Sequence, residues 1–229
     1  MIRKLLFYFL LTIPFFASAQ DVLRGHVRID LEPPPSFYMD VRVPLDHDTA
    51  YMRALEVAAM FFSAQIYGWS FHYDIGERAR GIPEEFELTP LGEITWGDPR
   101  LFVTDAYFRN HTLSLWVDYR PSEHQHRRLA MWRKGNVRPV QGLGFAFVDG
   151  SGGLTESAAW LAIRKRALED AARAAVRAML QASERNRPRQ AIGYISLERF
   201  PDDWIDSGRW ASRARFRVEI MEIIPFAVH

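Results

Sequence analysis

The 229-residue sequence contains no cysteine. Disulfide bonds, thiolate zinc sites, iron–sulfur clusters and cysteine nucleophiles are therefore excluded. A bacterial lipoprotein anchor is excluded as well, because its lipid is carried by a cysteine. Without disulfides the fold must be held by an apolar core, and a chain of this length can bury one.

Membrane-spanning and nucleotide-binding signals are also missing. Beyond the N-terminal segment, no stretch is apolar over the roughly 20 residues that a transmembrane helix needs. There is no Gly-Lys-Ser/Thr motif and no glycine triplet at dinucleotide spacing. Hydrophobic residues make up 48% of the chain and charged residues 25%, which is typical of a globular protein and excludes wholesale disorder.

The N-terminus has the pattern of a secretory signal peptide. The basic pair Arg3 and Lys4 precedes an apolar run over residues 5–16, and Ala17-Ser18-Ala19 matches a cleavage site. We therefore expect residues 1–19 to be a signal peptide that is cleaved near Ala19. The mature chain is then periplasmic or secreted and has no transmembrane span, with an uncleaved anchor as the alternative.

Charge is distributed unevenly along the mature chain. Residues 20–119 contain 8 basic and 16 acidic side chains, whereas residues 120–229 contain 19 basic and 12 acidic ones. Opposed charges of this kind can join the acidic half of one copy to the basic half of the next, which predicts a homo-oligomer. The alternative is two solvated surfaces. No nucleic acid partner is predicted, because the mature chain is nearly neutral and exported.

Apolar periodicity divides the mature chain into two similar halves. Residues 20–36 include three consecutive prolines and are predicted to form an extended lead-in. Residues 37–119 have the pattern strand, helix, strand, strand, and residues 140–229 repeat it after a basic linker at 120–139. The predicted fold class is α+β, with two similar β-α-β-β modules. Each module has one helix packed on a small, mostly antiparallel sheet.

Local signals position several of these elements. Asp46 is a candidate N-cap for a helix that continues to about Tyr67. Asn110-His111 is predicted to turn a hairpin between two strands. A glycine-rich turn at 149–153 precedes a long helix predicted over 155–183, whose buried face is rich in alanine and leucine.

The second half resembles a known exported module. Its helix contains Arg166-Ala167-Leu168-Glu169-Asp170-Ala171-Ala172-Arg173 and is followed by a strand, an Asp/Gly turn and a final alternating strand. Over residues 141–223, and more faintly 37–119, this is similar to the small module in the N-terminal part of flagellar H-ring assembly proteins and related envelope lipoproteins. The resemblance implies a noncatalytic envelope or flagellum-associated module that works by protein–protein contact.

Two polar motifs could bind an ion, but each has a simpler structural explanation. The glycines between 142 and 153 precede a helix, as anion-binding turns do, and equally fit a structural strand-to-helix turn. His124 and His126 could face a metal ion, but neighbouring arginines would repel it. We therefore favour a structural turn and a solvated linker.

The aspartates at 202, 203 and 206 could offer oxygen atoms to calcium. Their spacing lacks the alternation of a calcium-binding loop, and a turn beside a buried Trp204 is simpler. We therefore predict no catalytic residue, no cofactor and no metal site, and we predict that the protein is not an enzyme. An exported hydrolase ranks third among the functions, because it needs reactive side chains that converge only in space.

One segment is predicted to contact a partner. Exposed tryptophans beside arginines often anchor protein interfaces, and five residues of the predicted linker have this composition. They are Arg127, Arg128, Trp132, Arg133 and Lys134. Their predicted partner is an envelope protein or an acidic envelope polymer, and the alternative is a plain linker.

Together these observations predict an exported, noncatalytic cell-envelope protein that acts through protein–protein contact or assembly. The alternative is a periplasmic protein that binds a small ligand or an envelope polymer between its two modules. That alternative requires a concave, aromatic-lined pocket with a few convergent polar groups.

Overall fold

The computed structural model describes residues 22–32, 45–76, 81–134, 137–147, 157–183 and 188–225. Within these ranges the chain forms nine strands and three helices. Their order is β1 (Leu23–Asp30), α1 (His47–Ile66), β2 (Trp69–Asp74), β3 (Glu85–Pro90), β4 (Leu101–Arg109), β5 (Thr112–Tyr119), α2 (Glu123–Met131), β6 (Arg138–Phe147), α3 (Ser157–Ser183), β7 (Pro188–Leu197), β8 (Asp202–Asp206) and β9 (Arg209–Pro225). None of the three helices is long and apolar enough to cross a membrane.

The strands form two antiparallel sheets, which confirms the predicted α+β class. Sheet A has the strand order β1-β5-β4, and sheet B has the order β3-β2-β7-β9-β6. The long strand β9 organises sheet B, because β6 pairs with one of its edges while β8 and then β7 pair with the other. The hairpin between β4 and β5 turns at Asn110-His111, as predicted, and both residues have positive φ.

Helix α1 lies between the two sheets, in contact with β1 and β5 on one side and β7 on the other. Its N-cap is Asp46, as predicted, and the Asp46 carboxylate accepts a hydrogen bond from the backbone N–H of Thr49 at 2.8 Å. Phe62 in this helix is fully buried and its ring centroid lies 5.7 Å from that of Tyr119. Because both sides of α1 are covered, the helix is apolar around most of its circumference.

Helix α3 packs directly on β6 through two glycines of that strand. A Cβ atom at Gly142 would lie 1.9 Å from the backbone oxygen of Ala171, and one at Gly144 would lie 2.1 Å from the Ala171 nitrogen. Any side chain at these positions would push the helix away from the sheet. The sequence predicts a strand-to-helix turn for these glycines, whereas Gly142 and Gly144 lie inside β6 and make room for α3. The turn at 149–153 lies outside the described residues.

The repetition of two modules is not shown by the strand pairing. Strands β2 and β3 belong to the first half of the chain but lie in sheet B, where β2 pairs with β7. Strands β4 and β5 instead pair with each other and with β1 in sheet A. One apolar core runs through both halves. Periodicity identifies a strand but does not identify its partner, and the strand predicted at 37–43 lies outside the described residues.

The extended lead-in predicted over 20–36 is wrong for residues 23–30, because they form β1. This strand pairs with β5 from Leu23 opposite Tyr119 to Asp30 opposite Thr112. The three prolines that follow suggested an extended, unpaired segment. In the preceding residues, however, the polar Arg24, His26 and Arg28 alternate with Gly25, Val27 and Ile29, and this alternation was a detectable strand signal.

The basic linker predicted over 120–139 contains helix α2. The helix begins with a capping box: the Ser122 hydroxyl accepts from the Gln125 N–H, and the Gln125 side-chain oxygen accepts from the Ser122 N–H. The Gln125 amide also donates to the hydroxyls of Tyr67 and Tyr119 at 2.8 and 2.9 Å. These bonds fix α2 against the core, so the segment is a structural element.

Candidate functional site

A cleft of about 690 Å³ runs along β1, at the boundary between the two sheets. This volume lies within the range of about 300–1,000 Å³ that is typical of ligand sites. We call it the β1 cleft. Its lining residues are Arg24–Arg28 and Asp30 of β1, Thr112 and Trp116 of β5, Trp160 and Arg164 of α3, Arg199–Pro201, Asp202–Ile205 of β8, and Trp210 of β9.

One close contact holds β1 at this position. A Cβ atom at Gly25 would lie only 2.2 Å from the Phe200 ring, so the ring packs directly on the β1 backbone. Phe200 also packs against Phe61 and Phe62 of α1, with ring centroids 5.0 and 4.7 Å apart. The glycine thus lets the connection between β7 and β8 dock onto sheet A and close one end of the β1 cleft.

The edge of β1 that faces away from β5 makes no strand pairing within the described residues. The N–H of Leu31 donates to the carbonyl of His111 at 2.8 Å, so the odd-numbered residues of this ladder bond to β5. The backbone groups of Arg24, His26 and Arg28 therefore point away from β5. The Arg28 carbonyl agrees with this geometry, because it accepts a hydrogen bond from Arg164 of α3 at 3.2 Å.

Arg164 is the central charged group of the cleft and its side chain is only 5% exposed. Its guanidinium carbon lies 4.2 Å from the ring centroid of Trp160 and 4.1 Å from that of Trp210. Two indole faces therefore contact this cation and favour one orientation of its plane. Trp160 and Arg164 are four residues apart, so one face of α3 presents both.

Asp203 of β8 pairs with Arg164, with 3.6 Å between Oδ2 of the carboxylate and Nη1 of the guanidinium. The aspartate side chain is 10% exposed, and burial raises its pKa to about 6 although Arg164, Ser212 and Trp210 act to lower it. Its Oδ1 atom accepts no hydrogen bond of normal geometry. The carboxylate therefore belongs to a buried polar cluster with Arg164, Ser212 and Trp210.

His26 contributes a further polar ring to the cleft. Its ring stacks on Trp116 with centroids 4.6 Å apart, and its buried Nε2 atom makes no hydrogen bond with any described residue. Burial and, less strongly, the nearby Arg28 lower the pKa of the imidazole. His26 is therefore neutral at pH 7 and can donate or accept a hydrogen bond, depending on its tautomer.

The mouth of the cleft carries charges of both signs. Arg24, Arg28 and Arg199 are exposed there, together with Asp30 and Asp202. Arg24 makes a two-pronged ion pair with Asp118, with N–O distances of 2.8 and 2.9 Å, and this pair lowers the pKa of the Asp118 carboxyl. Neither Arg28 nor Arg199 forms an ion pair with any described residue.

The residues predicted to contact a partner lie on α2 and the turn after it, outside the β1 cleft. Arg127, Arg133 and Lys134 are exposed and Arg128 is half-buried. The prediction is wrong for Trp132, whose side chain is 8% exposed and whose Nε1–H donates to the Ile66 carbonyl at 3.1 Å. An aromatic ring after a helix can fold back onto the core, which composition does not reveal.

The aspartates at 202–206 are placed in β8 and its turn. The predicted turn is wrong for residues 202–206, which form a strand, and the chain turns only at Ser207-Gly208, where φ is positive at both positions. Asp206 forms an ion pair with Arg209. Trp204 is half-buried and lines the cleft, in contrast to the predicted buried position. Across the described ranges, no group of three or more His, Asp or Glu side chains could hold a metal ion.

The β1 cleft itself was not predicted. Its two signals were the polar series Arg24, His26, Arg28 and Asp30 on one face of β1, and a basic residue on the apolar face of α3. Taken together, these groups can bind a polar molecule. The β1 edge offers backbone donors and acceptors, and the ion pair of Arg164 and Asp203 fixes the inner wall beside it.

Comparison with known proteins adds a family and one relative. A family model that carries no functional description matches residues 15–226. The chain is 22% identical to an uncharacterized protein of Treponema pallidum (strain Nichols) over 174 residues. The aligned region covers 76% of this chain and 69% of that protein. No solved structure matches the chain. These findings make no link to flagellar H-ring assembly proteins or envelope lipoproteins.

Proposed function

Since the chain belongs to an uncharacterised protein family, its function is inferred from its own residues, and we propose that it acts through protein–protein contact at the β1 cleft. In this proposal it is an exported, noncatalytic component of the cell envelope. The N-terminal pattern of residues 1–19, outside the described residues, supports export. The flagellum-associated role implied by the resemblance is one setting for such a contact.

The observation that carries the proposal is the edge of β1 inside a lined cleft, where no described strand pairs with it. A row of backbone donors and acceptors at strand spacing is complementary to another protein backbone. Arg164 stands at the inner wall and already bonds to one carbonyl of this edge. Its charge is met by Asp203, and the pair holds the inner wall of the cleft in place.

A second function is favoured by the aromatic lining. Trp116, Trp160, Trp204 and Trp210 all border the cleft, together with convergent polar groups. This is the composition expected for a protein that binds a small ligand or an envelope polymer. The regular backbone edge is not needed for such a ligand, so this function ranks second.

Site-specific crosslinking in the cells of origin tests the proposal. A photo-crosslinking amino acid is placed at position 28 in the cleft and, as the matched control, at position 109 on the exposed strand β4. We expect a defined protein adduct from position 28 and none from position 109. Equal adducts from both positions, or no protein adduct from position 28, would overturn the proposal. The identity of the adduct shows whether the partner is an envelope or flagellar component.

A further inference from the structure

We infer that the β1 cleft takes an extended acidic segment of the partner, which adds to sheet A as a fourth strand along β1. The inference rests on the proposed function and specifies the chemistry of the contact. Four properties of the cleft lead to it: the length and regularity of its strand edge, the strand on its opposite wall, its charge, and the different characters of its two faces.

The β1 edge is regular and long enough for strand addition. Its pairing with β5 runs without a register shift from Leu23 to Asp30. At a rise of about 3.3 Å per residue, the cleft-lining part from Arg24 to Asp30 spans about 20 Å. The backbone N–H of Arg28 and both backbone groups of His26 point away from β5 and make no bond with any described residue. An added strand can pair with these groups.

The opposite wall of the cleft is also a strand. β8 pairs with β9 from Asp202 to Asp206 and makes no other strand pairing within the described ranges. Its two-residue turn makes Asp206 and Arg209 the closing hydrogen-bonded pair, so the backbone groups of Asp203 and Ile205 point away from β9. A segment inserted beside β1 would therefore lie between the edges of two sheets.

One cation at the β1 edge favours an acidic residue on the added strand. Arg24 is already paired with Asp118 and Arg164 with Asp203, whereas Arg28 has no acidic partner among the described residues. Guanidinium groups bind carboxylates through paired hydrogen bonds, and opposite charges on neighbouring strands stabilise strand pairing. A glutamate or aspartate on the added strand can thus pair with Arg28, which no described group of this protein does.

The two faces of the added strand meet different surroundings. On one face lie the side chains of Arg24, His26 and Arg28. The other face is the one on which Gly25 packs against Phe200, beside the core. Because successive side chains of a strand point to opposite faces, the segment is expected to alternate acidic and apolar residues.

Synthetic peptides test this inference on the mature full chain. The probe is a fluorescent six-residue peptide that alternates glutamate and valine, and its matched control alternates lysine and valine. We expect the glutamate peptide to bind at least tenfold more tightly, with an affinity that falls as salt rises. Equal binding of the two peptides would overturn the acidic specificity.

Backbone methylation separates strand addition from simple charge attraction. The glutamate peptide is N-methylated either on its odd or on its even residues, which removes the donors of one edge and keeps every charge. We expect one of these peptides to lose binding at least tenfold and the other to bind nearly as well as the parent. Full binding by both methylated peptides would contradict strand addition, whereas loss by both would mean that the segment pairs with β8 as well as with β1.

A pair of variants tests the same point from the protein side. Arg28→Ala removes the side chain only, whereas Arg28→Pro also removes an N–H that faces the cleft. Proline is tolerated on edge strands when its missing N–H points outward, so pairing with β5 is retained. We expect Arg28→Pro to bind the glutamate peptide about tenfold more weakly than Arg28→Ala. If Arg28→Pro does not fold, the methylated peptides decide the question.

The outcomes separate this inference from the proposed function. A protein adduct at position 28 with no peptide binding leaves protein contact standing and overturns strand addition. Direct binding of methyl glucuronide, with no binding of the glutamate peptide, overturns the inference in favour of a carbohydrate ligand. Peptide binding that is unchanged in Arg28→Pro and in both methylated peptides places the contact away from the β1 edge.

Discussion

The two edges of sheet A have the same neighbour, β5, but opposite surroundings. The β4 edge is interrupted by a register shift between Val103 and Asp105, and residues 104–109 are all exposed. The β1 edge has no register shift and is enclosed by α3, β8 and the connection before β8. A bulge and solvent exposure discourage pairing with other chains, whereas a recessed, regular edge permits only a fitting segment to pair.

This difference indicates that strand addition is controlled by tertiary surroundings rather than by strand sequence. β1 and β4 have similar composition: β1 contains Arg24, His26 and Arg28, and β4 contains Phe108 and Arg109. Only β1 has the buried pair of Arg164 and Asp203 beside it. The predictions below compare changes in the wall of the β1 cleft with matched changes on β4 or α2.

The largest effect is expected for Arg164→Ala. The substitution leaves Asp203 buried without its cation and removes the group between two tryptophans, so we expect a loss of about 4 kcal/mol in the free energy of unfolding at pH 7. Arg109→Ala on the exposed end of β4 is expected to cost less than about 0.5 kcal/mol. Urea unfolding measures both, and a cost below about 1 kcal/mol for Arg164→Ala would contradict the role given to the buried pair.

The pH dependence of stability is expected to report Asp203. Its pKa is about 6 in the folded protein against an ordinary value of 3.8, so the folded state binds the proton more tightly. Stability should therefore fall as pH rises from about 4 to 6, by about 3 kcal/mol, and level off above this range. Asp203→Asn should remove this fall, whereas Asp105→Asn on β4 should retain it. Identical profiles for wild type and Asp203→Asn would show that the carboxyl is not buried as described.

A moderate effect is expected for Gly25→Ala. The new methyl group would overlap the Phe200 ring, and such overpacking costs about 2 kcal/mol. On β4, Ala106→Gly changes an exposed residue by the same single methyl group and should cost less than about 1 kcal/mol. Thermal unfolding compares the two, and a neutral Gly25→Ala would show that Phe200 moves freely away from β1.

The smallest effect on stability is expected for the basic surface of α2. Replacing Arg127, Arg128, Arg133 and Lys134 together by alanine should change the free energy of unfolding by less than about 1 kcal/mol. Retention of the protein in the envelope should fall if these four residues contact an acidic partner, as the sequence predicts. Retention that stays at the wild-type level in the folded variant would show that the α2 surface contacts no such partner. The proposed contact at the β1 cleft would be unaffected by that result.

Local sequence signals were sufficient for some elements and not for others. The N-cap Asp46 and the hairpin at Asn110-His111 were predicted because each depends on a few neighbouring residues. The packing of the β6 glycines on α3 was missed because it joins residues that are far apart in the chain. Helix α2 and strand β1 were missed because proline, arginine and histidine were taken as marks of solvated chain. The ring of Trp132 illustrates the reason, since only its contact with Ile66 makes it a core residue.

The sequence by itself determined that this protein has a mixed α+β fold without disulfides, because periodicity and residue type act over a few residues. Only the tertiary structure decided that β2 joins β7, that β1 borders a cleft and that Arg164 reaches Asp203. These contacts join residues far apart in the chain. They depend on how α1 and α3 separate the two sheets, and no local pattern records that arrangement.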